Sequence, residues 1–236
     1  MEYKIPARQL DVIEKVRAFV KERLDPISLQ VEEDGRIPEE IVEEMRRLGL
    51  FGLSIPEKYG GSGLSTLAEV LVYEEMTRAN ACFRSRIGTN NGIGSMGILF
   101  DGTEEQKGRY LPPIASGRST AAFALTEPDA GSDAARISTS AVLEGDSWIL
   151  NGSKLFITNG GCADIFTTIA VADANKRTPG GFTGFIIERD MPGFTVGNPV
   201  RKMGMRGSMT NVLVFRNCRV PINNVIGGVH MGGLGV

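Results

Sequence analysis

The chain has 236 residues, 42% of them hydrophobic and 23% charged, with 26 basic against 28 acidic side chains. That length can bury the core of one large or two small domains, and the composition excludes a disordered chain. A net charge of −2 argues against nucleic acid as the main ligand, since phosphate binding needs a basic surface.

Residues 1–117 read as an N-terminal helical domain. Leu10, Ile13, Val16, Val20 and Leu24 recur at helical spacing, and Pro26 is expected to stop that helix. A second helix is predicted from Pro38 through Ile41, Met45 and Leu48 to a glycine stop at Gly49. Phe51 to Gly63 is turn-rich, and a third helix is predicted from Ser65 past Leu67, Leu71 and Glu75. Thr103 and Gln106 form a capping-box pattern opening another helix, which Pro112 and Pro113 are expected to close.

Residues 118–236 read as a middle β-domain, because the apolar period changes to two. Ala121 to Leu125 is predicted as a strand, and Ile137, Thr139, Ala141 and Leu143 alternate with Ser138, Ser140 and Val142. Gly145-Asp146 and Asn151-Gly152 read as hairpin turns around Trp148-Ile149-Leu150. Asp164 to Ala172, Phe182 to Glu188 and Asn211 to Val220 are further β-rich runs. The fold class expected is therefore α+β, an all-helical domain followed by an antiparallel, barrel-like β-domain.

Cys82, Cys162 and Cys218 lie far apart and His230 is the single histidine, so free thiols and no metal site are expected. No apolar run reaches the roughly 18 residues that a membrane span needs. The opening MEYKIPARQLDVIEKV has acids and no apolar leader stretch, which makes the cytoplasm the expected location. After Asp190 come Arg201, Lys202, Arg206, Arg216 and Arg219 with no acid; they could face a phosphorylated ligand or form a solvated surface.

The 30 glycines are nearly twice the ordinary share of about 7%. Gly92 to Gly97 matches GxGxxG, but neither a preceding strand nor a βαβ unit surrounds it, so close helix packing that leaves room for a ligand's tail is the better reading. Asn151-Gly152-Ser153 fits a glycosylation sequon by chance. The informative stretches are Phe123 to Asp133 (FALTEPDAGSD) and Asn151 to Gly161 (NGSKLFITNGG). The first is a strand running into a polar turn with Pro128, Gly131 and Ser132, which offers N–H groups and hydroxyls to an anion or a polar ring edge. Glu127, Asp129 and Asp133 could be paired catalytic carboxylates, although acids in such turns more often bond nearby amides. The second places Phe156, Ile157 and Thr158 on one strand, an aromatic face with a hydroxyl that suits a flat heteroaromatic cofactor.

Together these two blocks resemble the acyl-CoA dehydrogenase flavoprotein family. Leu48 to Ser65, Gly102 to Gly117 and Val200 to Thr210 are similar to other family blocks, in the same order. Met205 and Met209 stand where family members often carry Gln and Asp. The resemblance implies a helical domain, a middle β-domain and a C-terminal four-helix domain, of which this sequence matches the first two. It implies FAD as cofactor and dehydrogenation of an acyl-CoA thioester at Cα–Cβ, with a glutamate of the C-terminal domain as the base. No catalytic residue is then expected in this chain, and Glu127 is not assigned that role.

By resemblance, the cofactor residues are Phe123, Ala124, Leu125, Thr126, Gly131, Ser132, Phe156, Ile157 and Thr158. Phe123, Leu125 and Thr126 are expected on the pyrimidine side of the flavin. Ser132 is expected to meet both the cofactor phosphates and the CoA chain of the substrate. Phe156 stands where many members have Trp, and the Thr158 hydroxyl is expected near N5. Implied partners are acyl-CoA, electron-transferring flavoprotein and further copies of the chain, as a tetramer or dimer. An acyl-CoA oxidase or nitroalkane-oxidase-like relative, or a module that binds flavin or acyl-CoA without turnover, would use the same scaffold.

Overall fold

A computed structural model describes residues 4–175 and 181–228; His230 lies outside them. Helix α1 (Ala7–Phe19) buries Ile13, Val16 and Phe19, as the spacing predicts. Pro26 does not stop the helical path. The chain widens into a π turn at Val20–Leu24, tightens into a 3-10 turn at Asp25–Ile27, and resumes as α2 (Ser28–Asp34). The wider turn absorbs the bond that proline cannot donate, so the helix bends instead of ending.

Helix α3 (Glu39–Arg47) follows Pro38, and Gly49 takes a left-handed φ of 71° at its end. Ser65 caps α4 (Thr66–Met76) through its hydroxyl. Helices α5 (Cys82–Asn91) and α6 (Met96–Asp101) carry no apolar stripe that would reveal them in the sequence. In α5 both apolar and polar residues are buried, from Cys82 and Phe83 to Asn90 and Asn91. Gly92 to Gly97 forms the junction between α5 and α6. A Cβ at Gly94 would lie 2.7 Å from the Thr89 carbonyl oxygen and 2.9 Å from the Ala121 carbonyl carbon, so close packing is what these glycines provide. Helix α7 (Glu104–Ala115) opens with the expected capping box but runs through Pro112 and Pro113. Burial of Leu111, Ile114 and Ala115 holds that last turn against the sheet.

The β part is a curled sheet of seven strands: β1 (Ala121–Ala124), β2 (Ser140–Glu144), β3 (Ser147–Thr158), β4 (Ile165–Val171), β5 (Phe182–Glu188), β6 (Phe194–Pro199) and β7 (Thr210–Pro221). Its path runs β1-β4-β2-β3-β7-β6, with β5 on the other edge of β4. A helical part followed by a half-barrel matches the expected class, but the sheet is mixed, not purely antiparallel. β1 lies parallel to β4 in the register Ala121↔Ile165 to Ala124↔Thr168. The cause is the start of β4, where Asp164 and Ile165 both donate N–H groups to the Thr120 carbonyl, 2.9 and 3.2 Å away. The two strands therefore set out side by side.

Gly145-Asp146 makes the β2–β3 hairpin as read. Asn151-Gly152 does not turn. β3 passes straight through it, and Gly152 sits at a register shift against β7 with φ 149°. A Cβ there would lie 2.6 Å from Thr139 Oγ1, so the glycine serves a close approach between strands. One apolar cluster fills the helical part and another the inner face of the sheet. A third joins them through Ile98, Tyr110, Leu111, Ile114, Ala121, Ile165 and Ile186. Among the described residues no helix is long and apolar enough to cross a membrane, no acid, histidine and cysteine cluster could hold a metal, and Cys82, Cys162 and Cys218 are free.

Candidate functional site

The two informative stretches meet. β1 ends at Ala124, and the chain leaves the sheet through Leu125 and Thr126 into a turn closed by reciprocal backbone bonds between Glu127 and Ala130, of 3.0 and 3.1 Å. The Leu155 N–H donates to the Thr126 carbonyl at 2.8 Å, which holds the start of that turn against the second half of β3. Between Lys154 and Ile157 the β3–β7 register shifts, and Phe156 takes a positive φ of 58°. That left-handed backbone is costly for a residue with a Cβ, and Phe156 is 57% exposed. Ile157 turns into the core, and Thr158 pairs with Thr210 at the strand end.

Phe123, Leu125, Thr126 and Thr158 are half-buried, and Ala124 is buried. The hydroxyls of Thr126, Ser132 and Thr158 make no hydrogen bond among the described residues. The Leu155–Thr126 bond thus sets Leu125 and Thr126 against the strand that carries Thr158 and the exposed Phe156, with the two threonine hydroxyls unbonded among the described residues. Gly131 and Ser132 stand exposed farther along the turn, without a contact to β3 in the hydrogen-bond pattern. This is a surface that fits a flat ring with polar edges.

Glu127 is committed elsewhere. Its carboxylate is 5% exposed and accepts from Ser138 N and Oγ at 2.7 and 2.8 Å and from Thr139 N at 3.0 Å. It also accepts from Thr139 Oγ1 at 2.5 Å and from Lys154 Nζ at 2.7 Å. Burial pushes its carboxyl up, but the bonds from Lys154, Thr139 and Ser138 prevail and hold it at about 2. Burial draws the Lys154 ammonium down from its usual range, and Glu127 opposes that shift. Asp129 and Asp133 are exposed on the turn. No pair of carboxylates poised for acid–base work forms here.

Three residues that the sequence reading passed over shape the site. Lys154 is fully buried beneath it. Asn159, at φ 60°, follows Thr158 and ties the strand end to α5: its Nδ2 donates to the carbonyls of Ser85 and Arg86, both at 3.2 Å, and to Thr89 Oγ1 at 2.7 Å. Arg189 donates to the carbonyls of Ala163, Gly160 and Gly161, bracing the glycine turn beyond. An asparagine directly before Gly-Gly was the available signal for a left-handed residue.

Residues 6–118 match the acyl-CoA dehydrogenase N-terminal domain, and residues 122–218 match the acyl-CoA dehydrogenase middle domain. The chain belongs to the acyl-CoA dehydrogenase family. An acyl-CoA dehydrogenase of Bacillus subtilis is 39% identical over 223 residues, covering 94% of this chain and 59% of the relative. Among solved structures, butyryl-CoA dehydrogenase from Megasphaera elsdenii superposes with a TM-score of 0.92 at 36% identity, over 98% of this chain and 61% of that one. A glutaryl-CoA dehydrogenase from Mycobacterium smegmatis in complex with FADH2 gives 0.86 at 35% identity, over 94% of this chain and 55% of that one. The chain therefore spans about three fifths of the length of these acyl-CoA dehydrogenase relatives.

Proposed function

We propose that the chain supplies the helical part, residues 1–117, and the flavin-holding middle part, residues 118–236, of an FAD-dependent acyl-CoA dehydrogenase. The observation that carries this reading is the Leu155–Thr126 bond, which sets Leu125–Thr126 against the strand of Phe156–Thr158, with the hydroxyls of Thr126 and Thr158 unbonded among the described residues and Phe156 exposed. The complex of the Mycobacterium smegmatis relative with FADH2 supports a flavin as the flat group. Bound FAD would supply the acceptor for the β-hydrogen of the acyl thioester as hydride.

The chain's own residues bind and orient. Phe123, Ala124, Leu125 and Thr126 address one ring edge, and Phe156, Ile157 and Thr158 form the wall beside it. Gly131 and Ser132 extend toward the cofactor phosphates, with Ser132 also facing the CoA chain. An oriented hydroxyl such as that of Thr158 acts by standing where charge develops, at no cost of reorganisation. The α-proton needs a base with a pKa near the working pH. Glu127 is held far below that and is not assigned the role, which by the family resemblance falls to a glutamate of the C-terminal domain. The same reading has acyl-CoA as substrate, electron-transferring flavoprotein as electron acceptor, a tetramer or dimer as assembly, and the cytoplasm as location.

The test is a titration of the 236-residue chain with FAD followed by butyryl-CoA. The expected outcome is flavin uptake, seen as quenched fluorescence, without bleaching by the thioester. A chain that takes up no FAD refutes the flavin site. Bleaching that disappears in Glu127→Gln refutes the placement of the base.

A further inference from the structure

Beside the proposed cofactor surface lies a buried ion pair that bonds it through the Leu125 carbonyl. Lys154 is completely buried, and its ammonium spans two parts of the chain, donating to the Leu125 carbonyl at 3.1 Å and to Glu127 Oε1 at 2.7 Å. It belongs to β3, immediately before the register shift that exposes Phe156. Its neighbour Leu155 bonds the Thr126 carbonyl from the same strand. Glu127 in turn gathers the backbone and hydroxyls of Ser138 and Thr139, the approach to β2. One charged pair thus links three segments that make no continuous ladder with one another: the exit of β1, the approach to β2, and the bulge of β3.

We propose that the Lys154–Glu127 pair is a positioning device for the flavin surface, holding Leu125–Thr126 at a fixed offset from Phe156–Thr158. A core made only for stability would not require it, since buried pairs can be replaced by apolar groups of similar volume at little cost. A pair that fixes geometry leaves a different signature. Its uncharged replacement folds but presents its surface groups out of register, and ligand contacts are sensitive to misplacement on the scale of an ångström. Lys154 and Glu127 touch neither cofactor nor substrate in this role. The inference rests on the flavin reading above.

The experiment compares the parent chain, Lys154→Met, and the double variant Glu127→Gln/Lys154→Met, with FAD itself as probe and all binding measured well below each melting temperature. Lys154→Met leaves a buried carboxylate without its cation, so it is expected to melt lower and to bind FAD more weakly. The double variant removes the unpaired charge but leaves one of the Ser138 and Thr139 N–H groups facing an amide donor, so it is expected to regain part of the melting temperature while its FAD dissociation constant stays about tenfold above the parent's, the scale on which supporting partners of a bound group act. Its flavin absorption bands should also lose their parent-like fine structure. A double variant that folds and binds FAD within twofold of the parent, with an unchanged spectrum, overturns the inference while leaving the flavin reading intact. A parent that binds no FAD overturns both. Should the Lys154 variants fail to fold, Ser138→Ala removes one exposed-side donor to Glu127 and carries the same comparison: a two- to threefold weaker FAD complex supports the role, and an unchanged one overturns it.

Discussion

Asn159 offers a clean separation of side-chain from backbone effects. Its Nδ2 makes three donations to α5, and its backbone sits at φ 60° just after Thr158. Each buried donation is worth about 1 kcal/mol net, so losing all three removes about 2–3 kcal/mol. Asn159→Gly keeps the left-handed backbone accessible and loses only those bonds. Asn159→Ala loses them and also places a Cβ at positive φ, a further cost of about 1–2 kcal/mol. At roughly 2–4 °C per kcal/mol for a chain of this size, the glycine variant should melt about 4–12 °C lower. The alanine variant should melt several degrees lower again. Differential scanning calorimetry of the three proteins reads both steps. Equal melting of the glycine and alanine variants would refute the backbone argument, and a glycine variant within 2 °C of the parent would refute the claim that this amide ties strand to helix.

Gly152→Ala places a Cβ 2.6 Å from Thr139 Oγ1 at a φ of 149°, and a loss of about 1–3 kcal/mol is expected; urea unfolding at the parent midpoint would contradict it. Glu127 ties stability to acid pH, because its folded value of about 2 lies below its ordinary 4.5. Its contribution is complete above pH 4.5 and is lost as the pH falls toward 2, a change of about 3 kcal/mol that Glu127→Gln should abolish; parallel acid-unfolding curves for parent and variant would count against it. Thr158→Val keeps the shape and removes a hydroxyl that makes no hydrogen bond among the described residues. In an enzyme carrying this chain together with the family's C-terminal domain, flavin reduction by acyl-CoA should slow about 10- to 100-fold, and an unchanged stopped-flow rate would remove Thr158 from the assignment.

What the sequence showed and hid follows from the range of the interactions involved. The helix start at Ser65, the capping box at Thr103 and Gln106, the glycine stop at Gly49 and the Gly145-Asp146 hairpin are local, and all appear where the sequence places them. Asn151-Gly152 carries the same dipeptide signature as a hairpin, yet its conformation is set by Thr139 on another strand. Helix α5 escaped because polar residues such as Ser85, Thr89, Asn90 and Asn91 are buried along with its apolar ones and leave no apolar stripe. Asn90, for one, donates to the carbonyls of Ile114 and Ser119 and accepts from the Ala121 N–H. The parallel pairing of β1 with β4 joins residues more than forty positions apart, beyond any periodic pattern. Within the site, Phe156 and Thr158 were legible as a pattern, whereas the partner of Glu127 was not: Lys154 in a strand looks like any solvent-facing lysine until the fold covers it.

The ladder of β3 also has a consequence during synthesis. Its first half pairs with β2, whose residues have just left the ribosome, in the register Ser140↔Asn151 to Glu144↔Ser147. The half that carries Phe156 and Thr158 has β7 as its ladder neighbour, with Ile157 opposite Asn211 and Thr158 opposite Thr210. At about 5–20 residues per second, that neighbour arrives about 3–10 s later. For that interval an apolar, ring-bearing strand edge has little backbone partnership beyond the Leu155–Thr126 bond. Such an edge is what chaperones recognise and what aggregates. Slowing translation between residues 158 and 210 should therefore lower the yield of folded chain more than slowing it before residue 117.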